Sequence, residues 1–402
     1  MEKHIEKNGG TIWNQVYICV FCANILLFLG MQMVNTLVSK YADALGAAPT
    51  VVGVVSSLFA LTALIFKVFS GPAIDAFNRK WILIAAILVI AISFAGFSLS
   101  VNVEMLFAFR LLQGCGQAFT ATCCLAMAAD ALPAERFGVG IGTFTLAQAV
   151  CQAIGPTIGL SLAERFGYRA AFAVAACCSF CAVIAAACIR GTAREARRPF
   201  RISLGSIVAP EAIFPAVLLF LLQMTFCNIN SFLVIYAEEQ NVSNIGLFYT
   251  VYAVAMLFAP RMVGKLADRW GTTRAVIPAM LCFALSFWVI SCSDSLPLFL
   301  LAAVISAFGY GAAQPAVQAL GMKSVPESRR GSASSTSYIG QDLGNLVGPI
   351  VAGWLVERLG YGLMWRMMIL PVLAAILLVI LFRKKVVRIE DRFQQQVSEN
   401  CC

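Results

Sequence analysis

Charge is what this chain has least of. Only 12% of its 402 residues are charged, whereas 60% are hydrophobic. A soluble domain carries about 25% charged residues, so there is too little polar surface here to face water, and lipid is the alternative solvent. Histidine is nearly missing: His4, in the N-terminal tail, is the only one. That argues against a histidine metal centre or a histidine proton relay, and no cofactor is expected. The alternation of apolar and polar residues that marks a transmembrane barrel strand is also missing. No stretch between apolar runs is long enough to fold as a soluble domain. Gly264-Lys265 is followed by Leu266, so it is not a phosphate-binding loop. Uphill work must then draw on an ion gradient or on the solute itself.

What the chain has in quantity is apolar runs of about 20 residues, the length that crosses a hydrocarbon core of roughly 30 Å. They fall at 14–38, 51–70, 81–100, 105–129, 138–162, 170–189, 212–236, 245–263, 275–293, 298–322, 332–356 and 364–382, which predicts twelve helices. The first is too long for a cleaved signal peptide and is expected to remain as helix 1. Of 29 Lys and Arg, 22 lie in the two tails and the even-numbered turns, while Lys40, Arg165, Arg169, Arg358 and Arg366 lie at the other ends. This bias places both termini in the cytoplasm. The net charge of +9 therefore reports topology, and no nucleic-acid partner is expected. Thirteen of the fifteen cysteines sit within expected helices, where a small buried hydrophobe is the simplest reading of the Cys19/Cys22 and Cys178/Cys181 spacings.

Landmarks recur in register 193 residues apart (264 − 71): Gly71 and Asp75 with Gly264 and Asp268, Pro133, Arg136 and Gly138 with Pro326, Arg329 and Gly331, Gly155-Pro156 with Gly348-Pro349, and Gly167-Tyr168 with Gly360-Tyr361. No gap is needed. The halves are therefore structural copies, six helices each, and a pathway is expected between them. The expected units are an N-terminal bundle at 1–190, a basic cytoplasmic linker at 191–210, a C-terminal bundle at 211–385 and a cytoplasmic tail at 386–402.

Amides are concentrated in certain helices. Asn24, Gln32 and Asn35 fall in helix 1, Gln113 and Gln117 in helix 4, and Gln148 and Gln152 in helix 5. Gln223, Asn228 and Asn230 fall in helix 7, Gln314 and Gln318 in helix 10, and Gln341 and Asn345 in helix 11. Helices 3, 6, 9 and 12 have none. An amide in hydrocarbon needs a partner or water, so the amide faces are expected to look inward and helices 3, 6, 9 and 12 to meet lipid. Some amides could instead bond neighbouring helices.

Two turns carry related motifs: Gly264-Lys-Leu-Ala-Asp268-Arg269-Trp-Gly271-Thr-Thr-Arg274, and Gly71-Pro-Ala-Ile-Asp75-Ala-Phe-Asn78-Arg79-Lys80. Both resemble the G-x-L-A-D-R-x-G-R-[KR] loop of the major facilitator superfamily. The resemblance covers essentially the whole chain and implies an all-α membrane fold of twelve helices in two pseudo-symmetric six-helix bundles. In that family the loop latches the cytoplasmic side, which implies that Asp75 faces the start of helix 11 near Ser332 and Asp268 the start of helix 5 near Gly138. Ala76 and Asn78 depart from the pattern, leaving Arg79, Lys80 or Arg136 as partners for Asp75. The alternative is plain turn stability.

Helix 4 carries Arg110-Leu-Leu-Gln113-Gly114-Cys-Gly116-Gln117-Ala118, similar to the R-x-x-Q-G-x-G-x-A motif of proton-coupled members. An arginine in a span costs about 2.5–3.5 kcal/mol on insertion scales, so Arg110 should face the interior or water, unless it snorkels from near the outer end. Helix 5 carries Gly142, Cys151, Gly155-Pro156 and Gly159-Leu160, a worn version of the drug/proton antiporter motif. Its small residues suit close helix contact and its proline a bend.

Asp342 lies near the middle of helix 11, where the other copy has Ala149, with Tyr338 and Asn345 on its face. The cost of a desolvated charge makes such a carboxylate responsive to local opening and closing. It is therefore the candidate proton or cation site, with Arg110 expected across the cavity; the alternative is an Asp bonded permanently to a neighbouring helix. Lys67 is expected to snorkel to the cytoplasmic surface. Phe28, Phe59, Tyr249, Tyr252 and Tyr310 are candidates to stack on an organic substrate, or ordinary packing.

These readings converge on a secondary transporter of the cell membrane, expected to work as a monomer and not as an enzyme. Its partners would be a small-molecule substrate, protons and the lipid bilayer. The resemblance implies proton-coupled efflux of a drug or metabolite. The rival with the same fold is uptake of a small organic solute or anion with Arg110 as counter-ion. A receptor or channel is the rival of another class.

Overall fold

The computed structural model describes residues 12–133, 136–189, 208–259, 272–326 and 329–389. Most of the expected linker and tail and the turn bearing Gly264, Asp268, Arg269 and Gly271 lie outside the described residues. Among the described residues the chain is helical, with no strand. The first copy contains α1 (Gln15–Ala44), α2 (Pro49–Ala76), α3 (Arg79–Leu99), α4 (Val103–Ala131), α5 (Phe137–Phe166) and α6 (Tyr168–Ala187). The second contains α7 (Ile213–Glu239), α8 (Leu247–Met256), α9 (Thr272–Ser291), α10 (Leu296–Lys323), α11 (Arg330–Met367) and α12 (Ile369–Leu381). Ten described helical stretches are long and apolar enough to cross a membrane. The last of them, 332–381, contains the break between α11 and the helix that follows it. The short α8 is the described part of the 245–263 span.

Local chemistry sets the helix boundaries. The side chains of Asn14, Asn78 and Asn102 accept from the backbone N–H groups of Tyr17, Lys80 and Met105, capping α1, α3 and α4. Asn78, a departure from the motif glycine, thus acts as the start signal of α3. Pro49 stands in the first turn of α2, where its missing N–H costs nothing. Gly167 (φ 84°, ψ 163°) and Gly360 (φ 77°, ψ 168°) adopt the same left-handed geometry at equivalent places in the two copies. The Arg136 and Arg329 N–H groups likewise donate to the carbonyls of Pro133 and Pro326, at 3.1 and 2.9 Å. The repeat is therefore a repeat of backbone shape.

Within the first copy α1 packs on α5 and α6, α2 on α4, and α3 on α4 and α6; in the second, α7 packs on α10, α11 and α12, and α9 on α10 and α12. Small residues let these backbones touch. A Cβ on Gly116 would meet the Ala86 carbonyl of α3, and one on the equivalent Gly309 would meet the Phe283 backbone of α9. Large side chains stand exposed along α3 (Trp81, Leu88, Ile92), α6 (Phe180, Ile184), α9 (Leu281, Leu285, Trp288) and α12 (Leu370, Leu373, Leu377). None of these four helices carries an amide, and hydrocarbon suits their outer faces; α2 and α8 also lack amides but are taken up by the contact between the halves.

The halves meet through α2 on α11, α5 on α8 and α1 on α7. Gly53 of α2 lies against the Pro349 carbonyl, and Gly353 of α11 against the Pro49 carbonyl. Gly246, the counterpart of Gly53 (246 − 193), lies against Thr157 of α5, whose hydroxyl donates to the Gly246 carbonyl at 2.7 Å. Lys40 of α1 pairs with Glu238 of α7 at 2.5 Å, and Thr50 donates to Glu357. All these contacts lie toward the end that carries the α1–α2, α5–α6, α7–α8 and α11–α12 turns.

Two glycines should therefore differ sharply on substitution. Gly309→Val drives a branched side chain into the α9 backbone and should cost about 1–3 kcal/mol of stability. Gly142→Ala should be near neutral, because a Cβ there meets nothing within 4 Å. Unfolding of the two purified variants under denaturant checks both.

Candidate functional site

The α2–α11 contact continues inward from the glycine crossing to a charged pair. Side chains on a helix tilt toward its N-terminus. The helices run antiparallel, so Lys67 of α2 and Asp342 of α11 lean toward each other. The Lys67 ammonium donates to Asp342 Oδ2 at 2.5 Å, with 30% and 15% of the two side chains exposed. The same ammonium lies 5.2 Å from the centroid of the Tyr338 ring, one turn away on α11. Lys67 therefore does not snorkel to the surface, since the carboxylate on the facing helix holds it. The cation beside Asp342 is Lys67 rather than Arg110.

Arg110 is buried inside the first copy. Its Nη1 donates to Gln113 Oε1 at 3.0 Å and Asn35 Oδ1 at 3.3 Å. Its guanidinium lies 5.2 Å from the Phe59 ring centroid and 5.9 Å from that of Phe97. It is 1% exposed, so it is no snorkelling residue. No ion pair joins it to a carboxylate among the described residues. Its Nε, the Gln113 Nε2 and the Gln117 Oε1 are buried without partners. Phe59, half-buried on α2, lies against Arg110.

The remaining amides divide. Gln148 donates to Asn24 at 3.2 Å, Asn35 to Gln32 at 3.4 Å, and Gln314 to Gln318 at 3.1 Å. Gln223 donates to Asn345 at 2.8 Å and accepts from the Tyr310 hydroxyl. Asn228 donates back to the carbonyls of Met224 and Thr225 on its own helix, leaving its Oδ1 buried and unpartnered. The Gln341 Nε2 is also buried without a partner. Gln32, Gln152 and Pro156 from the first copy face Phe226, Asn230, Tyr249 and Tyr252 from the second across a small pocket. One wall is thus rich in amide and the other in aromatic rings. Tyr310 stacks on Phe226 at 4.0 Å between centroids, and the Tyr252 hydroxyl is buried without a partner. Phe28 is half-buried on α1.

Of the gating-loop residues, Arg79 bonds Asp130 at 2.6 Å and the Ile74 carbonyl at 3.2 Å. Lys80 donates to the carbonyls of Ala187 and Ile189 at 2.8 and 2.7 Å. Both tie α3 to its own bundle. Gly71 and Asp75 lie in the last turns of α2, and Arg274 is exposed near the start of α9. In α5, Gly155 and Gly159 lie against α1, whereas Gly142 touches nothing, so only part of that motif serves close packing. The described cysteines are free, and no His/Cys/Asp/Glu cluster suited to a metal occurs among the described residues.

Reading along the chain missed the Lys67–Asp342 pair. The available signal was that Asp342 is the only carboxylate inside the expected spans and that Lys67 is one of the few cations inside them. Lys40 with Glu238 had no comparable signal.

Comparison with known proteins places this architecture. The family model described as Major Facilitator Superfamily matches residues 20–236 and 213–398. The multi-drug resistance efflux pump PmrA of Streptococcus pneumoniae is 25% identical over 365 residues, covering 87% of this chain and 91% of that protein. The multidrug resistance protein MdtG of Escherichia coli is 25% identical over 374 residues, covering 89% and 91%. The crystal structure of the nucleoside transporter NupG superposes with a TM-score of 0.75 over 91% of this chain and 99% of that one. At 16% identity, that last likeness shows the fold alone.

The pair's geometry makes a double-mutant cycle informative. Lys67→Met alone strands a carboxylate and should destabilise more than Lys67→Met combined with Asp342→Asn. The coupling energy from unfolding curves should be about 0.5–3 kcal/mol.

Proposed function

The chain belongs to the major facilitator superfamily, and from that premise we propose that it exports a small organic molecule, a drug or metabolite, in exchange for protons. The observation that carries this reading is the Lys67–Asp342 pair, which joins the two copies at 2.5 Å within the apolar interior. A proton on Asp342 removes the charge that Lys67 holds, and the α2–α11 contact then loosens. Loss of that proton re-forms the pair. Coupling follows because the proton's site is also a contact between the moving parts.

The moving parts in this scheme are the units at 1–190 and 211–385, rocking as a monomer in the cell membrane, with the linker at 191–210, the tail at 386–402 and both termini in the cytoplasm. By the charge bias, the end sealed by Gly53, Gly353 and Gly246 is the outer one. The motif turns carrying Asp75 and Asp268 latch the inner one. Export is supported by the printed names of the efflux-pump relatives. Gln32 and Gln152, facing the rings of Phe226 and Tyr252, supply hydrogen bonds and stacking for an amphipathic cargo.

One observation favours a second reading, uptake of an organic anion. Arg110 is a buried cation that meets amides and rings rather than a carboxylate. The direction of counterflow in inverted vesicles separates the two readings.

Cargo comes first from a thermal-shift screen of candidate solutes on the purified protein. In proteoliposomes, Asp342→Asn should abolish movement of a hit driven by an imposed pH gradient while leaving folding and expression intact; an unchanged pH response would overturn the coupling. Thr50→Cys with Glu357→Cys, in a background lacking the exposed native cysteines, should arrest transport on oxidation and recover on reduction. Continued turnover of the cross-linked protein would exclude rocking about the outer seal.

A further inference from the structure

We infer that Lys67 is a tethered occupant of an organic-cation site formed by Asp342 and Tyr338, and that it competes there with cationic cargo. The inference rests on the transport reading for why cargo reaches this depth, but not on proton coupling. The ammonium stands 2.5 Å from a carboxylate oxygen and 5.2 Å from the centroid of an aromatic ring. A carboxylate for charge and hydrogen bonding beside a ring face for the cation is the environment that recognises an alkylammonium. Here the chain supplies that ammonium itself.

Two further observations separate an occupant from a structural rivet. The pair breaks the repeat: the counterparts of Lys67, Tyr338 and Asp342 are Pro260, Thr145 and Ala149. The matching α5–α8 crossing closes on Gly246 and Thr157, with no charge at the positions equivalent to the pair. Closing a crossing of this kind therefore does not need the pair. Moreover, the pair is not sealed inside protein packing, because Tyr338 is 42% exposed and both charged side chains keep some exposure. Lysine also suits the role, since its long flexible stem lets the ammonium withdraw while remaining attached. The ligand class is a primary or secondary organic ammonium on an apolar body. The carboxylate repels anionic molecules of the same shape, and neutral ones forgo the ion pair that would displace Lys67.

Equilibrium binding of phenethylammonium to the purified protein, at one neutral pH and with no gradient, tests this by calorimetry. If Lys67 holds the site nine-tenths of the time, Lys67→Met should tighten binding about tenfold. Lys67→Gln, which keeps a polar side chain, should do the same if Lys67→Met fails to fold. Adding Asp342→Asn should erase the gain. Adding Tyr338→Leu should erase most of it, whereas a mere field effect of the lost lysine charge would survive that change. Phenylethanol should bind neither form. Three results would each overturn the inference: unchanged or weaker phenethylammonium binding in both lysine variants, a gain indifferent to Tyr338, or phenylpropionate binding to the wild type that disappears with Lys67. Because no proton movement is measured, failure here leaves the coupling result with Asp342→Asn to stand or fall separately.

Discussion

Helix crossings with no room for a Cβ hold one end of this protein shut, and much of its interior geometry follows from them. Where Gly53 meets the Pro349 carbonyl and Gly353 meets Pro49, α2 and α11 approach to backbone contact. Antiparallel helices fixed at that point are then in register along their length, which brings Lys67 to the level of Tyr338 and Asp342. The matching approach of Gly246 to Thr157 repeats the constraint on the other side of the pseudo-twofold axis. The interhalf pocket bounded by Gln152, Pro156, Phe248 and Tyr249 lies beside this second crossing.

Much of the fold was legible because the repeat constrains it. Gly167 with Gly360 and Arg136 with Arg329 were visible as letters in register, and each pair has the same backbone role in both copies; the structure adds Gly116 with Gly309. Helices 3, 6, 9 and 12 could be assigned to lipid from their lack of amides, but the same lack in α2 and α8 did not show that they pack between the halves. The site was less legible. Lys67 and Asp342 are 275 positions apart, and their meeting depends on how one copy is placed against the other, which no spacing within a copy encodes. Arg110 was read as the cation facing Asp342, yet the structure turns it into its own bundle, where Asn35, Gln113, Phe59 and Phe97 surround it. Several amides likewise satisfy one another between neighbouring helices, the cheaper solution where water is scarce.

The two copies share a scaffold but not a chemistry. The first supplies a sealed guanidinium and amides. The second supplies a carboxylate and the ring cluster of Phe226, Tyr310 and Tyr252. In the proposed cycle, a symmetrical frame would let the halves interconvert between equivalent packings, while unlike linings would let cargo and proton be handled on different walls. The lone intramembrane carboxylate stands on the helix whose counterpart, α5, has only Ala149 at that position.

The single-residue elbows at Gly167 and Gly360 have a mechanical consequence. Only one left-handed glycine separates α5 from α6, and its twin ends the straight run of α11. With no slack at these joints, any tilt of an inner helix is passed at once to its lipid-facing neighbour. In the proposed rocking, each swing of the halves would then push aside the acyl chains around α6 and α12. On that reading the speed of the cycle would follow the viscosity and lateral pressure of the bilayer, the membrane acting as a brake through two glycines.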